Sequence, residues 1–479
     1  MMIKTLPVYS KLANEIDVPP EVVERLPEGI RPYQHQMETY HALTDSDVDV
    51  IFNTAITGDG KSLAGQLPVL LRGWKSPLLA MYPTNELARD QQGQIRRSQE
   101  AWATRLQVDR LNSARLDEIM ASDDYAQRGE ALMSVLRNQD VVLTNPDIFH
   151  LVMQQFYVRP KDAPDRIIGP MVNRFRQFTF DEFHIFNTPQ VISVLNALLF
   201  IHEMSGKSLA HKFLFLSATP GELMLEYLER SGLKVREIQG NYLHTASPLD
   251  EREWRRILQG TEIHFESGRV EAWVEEHLED ILLPFFTQRS RHAKGAVIVN
   301  SVAAAHRLLE RIRPAFVEQG LTVEPNTGLT SQERRARSYE ADLLIGTSTV
   351  DVGVDFQINF LLFESRDAGS FLQRLGRLGR HDGYERDGTP YKFEDFVAYA
   401  LVPPWIEEAL FERNEDTGPL LEDGGIVDRE RLNMAIEEAY PRVAPFKNYV
   451  HLWGRLQSAR VILALSQRTI REQYAETRQ

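Results

Sequence analysis

The chain has no cysteine among its 479 residues. That excludes disulfides, thiolate-ligated zinc and a cysteine nucleophile, and it fits a reducing cytoplasm, the location expected here. A long apolar run is also missing. The most apolar stretch, 191–201, is interrupted by Ser193 and Asn196. It falls short of the roughly 20 apolar residues a membrane span needs, so a buried helix is expected there and no membrane partner. The first residues carry no apolar core of the kind a signal peptide has. Low-complexity tracts and short-period repeats are lacking too. Positive charge is in deficit, with 54 Lys and Arg against 68 Asp and Glu, a net charge of −14. This argues against a protein that coats nucleic acid over its whole surface. Salt screens charge over about 8 Å, so a narrow basic track on an acidic body is compatible with it.

What is present is an alternation of short β-rich apolar runs with longer helical patterns, which implies an α/β fold of parallel sheets flanked by helices. Strands are expected at 48–53, 78–82, 141–143, 178–180 and 213–216, and again at 296–299, 343–345, 360–363 and 396–401. The length exceeds one ordinary core and suits two lobes. Expected boundaries are a first lobe at 1–240, a polar connection at 241–268, a second lobe at 269–405 and a small C-terminal helical region at 406–479.

The first expected strand runs into Ala55-Ile56-Thr57-Gly58-Asp59-Gly60-Lys61-Ser62 and then an apolar helical segment. Glycines let such a loop curl so that backbone N–H groups from Thr57 to Ser62 point at phosphate oxygens, with the helix dipole behind them. Lys61 would reach the β- and γ-phosphates of ATP and Ser62 would ligate Mg²⁺. Ala55 stands where a glycine is usual. The bland reading is a chance glycine-lysine-serine turn, and the strand-to-helix context weighs against it.

A later strand ends in Asp181-Glu182-Phe183-His184. One carboxylate with phosphate oxygens and waters suffices for Mg²⁺, so Asp181 would hold the ion and Glu182 would orient or deprotonate the attacking water. Alone, the pair reads as an acidic helix cap. Far away, Gln373-Arg374-Leu375-Gly376-Arg377-Leu378-Gly379-Arg380 places three arginines on an expected helix. Arg377 and Arg380 suit fingers on the γ-phosphate from the second lobe, across a cleft from Lys61. A solvated basic helix is the alternative.

These strings, in this order, resemble superfamily 2 helicases from Arg31 to Arg380. The resemblance implies two tandem RecA-like domains. Arg31-Pro32-Tyr33-Gln34 resembles the segment whose glutamine reads adenine, and Gly353 and Asp355, in the string 347–355, join the nucleotide contacts. His184 and Gln373 join the catalytic set. Tyr82-Pro83-Thr84-Asn85, Leu143-Thr144-Asn145-Pro146, Val299-Asn300-Ser301, Thr327-Gly328 and Thr347 resemble strand-binding motifs. The contacts implied are Pro83, Thr84, Asn85, Thr144, Asn145, Asn300, Ser301, Gly328 and Thr347. Ser217-Ala218-Thr219-Pro220 resembles the motif coupling hydrolysis to movement, through Ser217 and Thr219. Hydroxyls at helix starts hold phosphates without reading bases, although each is equally an ordinary N-cap.

Within the superfamily, the strings look most like the CRISPR-associated type I helicase, and in particular the stand-alone helicase subunit of subtype I-D. That implies single-stranded DNA, a guide-RNA surveillance complex and a separate subunit bearing an HD nuclease as partners. Only about 30 residues precede Arg31, below the ~50 of a usual domain, and His381-Asp382 has no second histidine nearby. No nuclease domain is therefore expected in this chain. Arg96-Arg97, Arg255-Arg256 and Arg289-Ser290-Arg291 read as solvated faces or phosphate contacts, and Trp74, Trp254, Trp273 and Trp405 as packing residues or base platforms. The rival functions are an RNA-remodelling or DNA-repair helicase, a polypeptide-translocating ATPase and a non-catalytic recruitment subunit. The polypeptide-translocating ATPase would need a large insertion that 82–181 is too short to hold, and the intact charged set counts against the recruitment subunit.

Overall fold

A computed structural model describes the chain except residues 46, 123–124, 126, 155, 158–166, 206–209, 218–226, 249, 351–355, 413–417, 441–447 and 466–479. Its internal contacts divide it into two units. Lobe 1 comprises Leu12–Ile56, Gly60–Asn241 and Ala444–Gln479; lobe 2 comprises Met1–Lys11, Thr57–Asp59 and Tyr242–Val443.

Lobe 1 is built on a seven-stranded sheet in the order Val108–Arg110, Val141–Thr144, Leu78–Met81, Gln177–Asp181, Lys212–Leu216, Val50–Asn53, Val235–Ile238. Every pairing is parallel. Strands buried on both faces must be apolar at successive positions, and these are. Val50, Phe52, Phe213 and Phe215 enter one core layer, while Ile51, Leu214 and Leu216 enter the layer on the other face. Phe52, Phe215 and Phe180 stack across three neighbouring strands, with centroids 4.9 and 4.6 Å apart. Phe183 meets Phe215 edge-on at 4.8 Å, which fixes the turn just beyond Asp181. The apolar stretch expected as a buried helix lies in Thr188–Ser205.

Lobe 2 carries an eight-stranded sheet in the order Val323–Asn326, Leu343–Gly346, Gly295–Ile298, Phe360–Glu364, Val397–Val402, Glu262–Ser267, Met2–Thr5, Ile426–Val427. The first six are mutually parallel and Met2–Thr5 runs antiparallel to Glu262–Ser267. Side chains again alternate between two layers, Ile298, Phe363 and Ala400 on one face and Val297, Leu362 and Leu401 on the other.

Three expectations need correction. The segment 241–268 is no plain connection. Tyr242–His244 and Trp254–Leu258 flank Val8–Lys11 in a three-stranded antiparallel sheet, and Glu262–Ser267 is a strand inside the large sheet. The first residues are strands of lobe 2. The C-terminal region is not one appendage either. Ile406, Leu410, Leu432 and Ile436 are buried in lobe 2, whereas the helix Arg455–Leu465 packs on Thr188–Ser205 of lobe 1. There Gln457 Nε2 donates to Ser193 Oγ at 2.6 Å and Ser458 Oγ to Asn196 Oδ1 at 3.1 Å. Among the described residues no helix is long and apolar enough to cross a membrane.

Candidate nucleotide and nucleic-acid sites

In lobe 1, Val50–Asn53 delivers the chain to the phosphate loop and Lys61–Arg72 carries it away. The start of the loop is anchored by a buried polar cluster. Asn53 Nδ2 donates to His35 Nδ1 at 3.0 Å and to Thr39 Oγ1 at 2.9 Å, and its Oδ1 accepts from Ala55 N at 3.1 Å. Gly60 has φ +71°, a left-handed conformation that suits glycine. A Cβ there would sit 2.6 Å from Gln36 Nε2, which donates to Gly60 O at 3.0 Å. Gln36, through its Oε1, also accepts from Tyr33 N. Gln36 therefore grips the loop directly, which sequence reading missed: only its spacing from Gln34 on one helix, Gln34–Thr44, hinted at it. The amide of Gln34, the expected adenine reader, is engaged by Glu38 at 2.8 Å and Asn241 at 3.2 Å.

Lys61 is 7% exposed and its Nζ donates to Ala55 O. Ser62 Oγ donates to Asp181 Oδ2 at 2.8 Å. This contact joins two motifs that lie 119 residues apart. Asp181, 3% exposed, has its carboxyl pushed up to about 7, chiefly by burial and then by the neighbouring Glu182 charge. Glu182 has φ +49°, uncommon for a residue with a side chain, and its Oε2 lies 3.6 Å from His184 Nδ1. Ser217 is fully buried, and its N–H donates to Asn53 O at 3.2 Å, beside the loop. Thr219 lies outside the described residues.

Could these residues hold Mg²⁺? Among the described residues no group of three His, Asp or Glu side chains gathers as a full protein cage. A magnesium ion does not need one, since it keeps waters and takes phosphate oxygens. A serine hydroxyl beside a buried carboxyl that the protein makes reluctant to ionise fits a dication, whose charge would relieve that reluctance. Ser62 and Asp181 fit the ion on these grounds.

The strand-side residues of lobe 1 are partly brought together. Thr84 caps Asn85–Ala101 by accepting from Leu87 N, and Asn145 caps Pro146–Met153 by accepting from Ile148 N. Asn145 Nδ2 donates to Asn85 Oδ1 at 3.0 Å in an exposed position, with Pro83 immediately before Thr84. Thr144 does not join them. It is 2% exposed and its hydroxyl donates to Leu111 O at 2.8 Å, because it ends a central strand and points inward.

In lobe 2 the arginine string is not one helix. Ala368–Leu375 carries Gln373 and Arg374, then Gly376 closes it, and Arg377 and Arg380 sit in the following turn. Gly379 is at φ +81°, and a Cβ there would come 3.2 Å from the Gln259 backbone; the two glycines break the helix. Arg377 is 3% exposed, and Arg380 Nε donates to Gly376 O at 2.6 Å. The Gln373 Nε2 donor is buried without a hydrogen-bond partner among the described residues, an orphan of the kind that marks a ligand-facing group. Arg374, 2% exposed, donates to Asn300 Oδ1 at 3.1 Å and to Glu364 O. Asn300 N and Nδ2 both donate to Glu364 Oε2, at 3.2 and 3.1 Å. Arg374 and Glu364 thus hold Asn300 in place, a role invisible in the sequence. Ser301 caps Val302–Glu318, Gly328 is exposed, and Thr347 is 6% exposed, beside Thr349. Gly353 and Asp355 lie outside the described residues. Also within lobe 2, Asp59 Oδ2 accepts from Ser10 Oγ and Tyr242 OH, each at 2.9 Å. Asp382 accepts from Arg256 and Gln259. Trp273 is core, while Trp74 and Trp405 are exposed.

Residues 33–226 match the DEAD/DEAH box helicase family, and residues 291–383 match the family described as CRISPR-associated nuclease/helicase Cas3, C-terminal. A curated relative, ATP-dependent helicase hrq1 of Schizosaccharomyces pombe, is 27% identical over 382 residues; these cover 74% of this chain and 32% of the relative, so the chain spans about a third of it. Among solved structures, DUF1998 helicase MrfA bound to DNA superposes with TM-score 0.63 at 15% identity, over 94% of this chain and 63% of that one. Mss116p bound to ssRNA and AMP-PNP superposes with TM-score 0.58 at 15% identity, over 97% and 86%. Helicase Lhr of Mycobacterium smegmatis gives 0.51 at 18% identity, over 78% and 46%. The fold is that of tandem RecA-like domains, and the segments 33–226 and 291–383 are similar to two helicase families.

Proposed function

We propose that this chain is an ATP-driven motor that moves along single-stranded DNA and unwinds it. The observation that supports this most is the hydrogen bond between Ser62 and the buried Asp181, which brings the loop for phosphate and the strand-end carboxylates of lobe 1 into one site. Lys61 would neutralise the β- and γ-phosphates there, Ser62 and Asp181 would hold Mg²⁺, and the ion would supply charge stabilisation on phosphate oxygens. Glu182, fixed by its backbone and by His184, would take a proton from the attacking water. Arg377 and Arg380 would complete the charge stabilisation from lobe 2, a contribution worth roughly 10³-fold or more in rate. Gln373 would offer its orphaned amide to the same phosphates. Asn85, Asn145, Ser301 and Gly328 would hold the strand by its backbone, so that binding is independent of sequence.

More finely, the match of 291–383 to the Cas3 C-terminal family favours a role in type I CRISPR interference. The partners would then be a guide-RNA surveillance complex and a separate subunit carrying the HD nuclease. A DNA-repair or RNA-remodelling helicase is the second reading, favoured by the likeness to hrq1 over 74% of the chain. ATP hydrolysis with single-stranded DNA, with RNA and with neither separates these. The DNA should raise the rate about tenfold or more, and Glu182→Gln should abolish turnover while nucleotide still binds. Stimulation by RNA alone would replace DNA with RNA as the track, and a rate indifferent to both would sink the motor reading. Capture of a guide-RNA effector complex by the full chain tests the CRISPR role, and its failure would favour the second reading.

A further inference from the structure

We infer that Gln66 and Gln91 form a positioning relay through which the nucleotide-side helix of lobe 1 sets the grip of its strand-side helix. This deepens the motor reading and rests on it. Gln66 lies one turn beyond Ser62 on Lys61–Arg72, and Gln91 lies on Asn85–Ala101, the helix that begins beside Thr84. They are 4% and 6% exposed, and Gln66 Nε2 donates to Gln91 Oε1 at 3.0 Å. The Gln66 amide also acts electrostatically on the hydroxyl of Tyr82, which is 2% exposed and lies within reach of the Asp181 charge. Tyr82 directly precedes Pro83 and Thr84. A short buried path therefore runs from the Ser62–Asp181 pair to the residues expected to hold the strand.

The choice of residue is informative. Gln66 interrupts an otherwise apolar run, Leu63-Ala64-Gly65-Gln66-Leu67-Pro68-Val69-Leu70-Leu71. Burying an amide is unfavourable unless its hydrogen bonds are made, and a pair of apolar side chains would fill the same space. A hydrogen bond is directional and weakens steeply outside its narrow range of distance and angle, whereas apolar contacts tolerate sliding. The amide pair thus specifies one setting of the two helices and loses stability in others. Lys61–Arg72 is held closely against the sheet as well: a Cβ at Gly65 would come 2.9 Å from Leu214, and Gln177 Nε2 donates to Gly65 O at 2.6 Å. A change at the phosphates that moves Ser62 is then delivered to Gln91 rather than absorbed.

The test uses the full chain and labelled oligo(dT), with affinity measured in ADP and in AMP-PNP. For wild type the two affinities should differ by about tenfold, within the usual range of coupling between sites. In Gln91→Met the ratio should collapse to below about twofold, while ATP hydrolysis without DNA stays within about twofold of wild type. Gln91→Glu, whose carboxylate still accepts from Gln66 Nε2, should restore most of the ratio, which a merely space-filling role would not predict. Should Gln91→Met fail to fold, the paired replacement Gln66→Met with Gln91→Met, which removes both amides together, is measured in its place. A wild-type ratio in the methionine variant, or no recovery in Gln91→Glu, overturns the relay and leaves the motor reading intact. Wild-type protein that shows neither DNA-stimulated hydrolysis nor a nucleotide-dependent affinity overturns both.

Discussion

Asp181 shows what a single residue contributes and at what cost to the fold. Its folded carboxyl is raised to about 7, above its value in the unfolded chain. The folded state therefore holds the proton longer, and the sign of the linkage is fixed. Stability on this account is greatest below the unfolded value near 4, falls as pH rises toward 7, and stays low above it unless a dication compensates. We expect Asp181→Asn to melt several degrees higher than wild type at pH 8 without Mg²⁺, with a flatter stability profile between pH 5 and 8, and to lose turnover. Scanning calorimetry across that range checks it; a lower melting temperature at pH 8 would contradict the burial argument. Glu182, at φ +49°, stores strain of about 1–2 kcal/mol. Glu182→Gly should raise the melting temperature by about 2–4 °C per kcal/mol relieved and abolish hydrolysis; unchanged or lower melting would show that the backbone is not strained there. Lys61, Ser62, Asp181 and Glu182 were legible in the sequence because phosphate and metal chemistry restricts both residue type and spacing. Gln36, Gln66, Arg374 and Glu364 were not, since each acts through a partner that only folding brings near.

At the scale of elements, the phosphate loop depends on Gly60. Alanine there would meet Gln36 Nε2 and take up φ +71°, a strain of about 1–2 kcal/mol, and Gln36 would give up its bond to Gly60 O. Gly60→Ala should therefore melt lower by several degrees and bind ATP about tenfold more weakly or worse. Adding Gln36→Ala should remove the collision without restoring affinity, measured by fluorescent-nucleotide titration; full recovery in the double variant would show that crowding alone was at fault. Element legibility followed hydrophobicity. Val50–Asn53, Leu78–Met81 and Phe360–Glu364 were visible as apolar runs because both their faces are buried. Glu262–Ser267 carries Glu262, His264 and Glu266 at alternate positions and so reads as polar connection, while Met2–Thr5, with Lys4 in it, gives no apolar run and is expected in the first lobe. The expected arginine helix stops at Leu375, because Gly376 closes it and Gly379 takes a left-handed φ of +81°.

For the whole molecule, the two units do not follow the chain in order. Met1–Lys11 belongs to lobe 2 and the helix Arg455–Leu465 to lobe 1, pairings that no local pattern announces. Removing residues 1–11 should strip Met2–Thr5 from between Glu262–Ser267 and Ile426–Val427 and leave an open edge, lowering the melting temperature and promoting aggregation. We propose that nucleotide turnover needs Arg377 and Arg380 as well as Lys61 and Glu182. The most direct measurement is single-turnover ATP hydrolysis, with saturating single-stranded DNA, in Arg377→Ala and Arg380→Ala beside wild type. Rates should fall by roughly 10³-fold with nucleotide affinity changed only a few-fold. Rates within about tenfold of wild type in both variants would contradict the proposal.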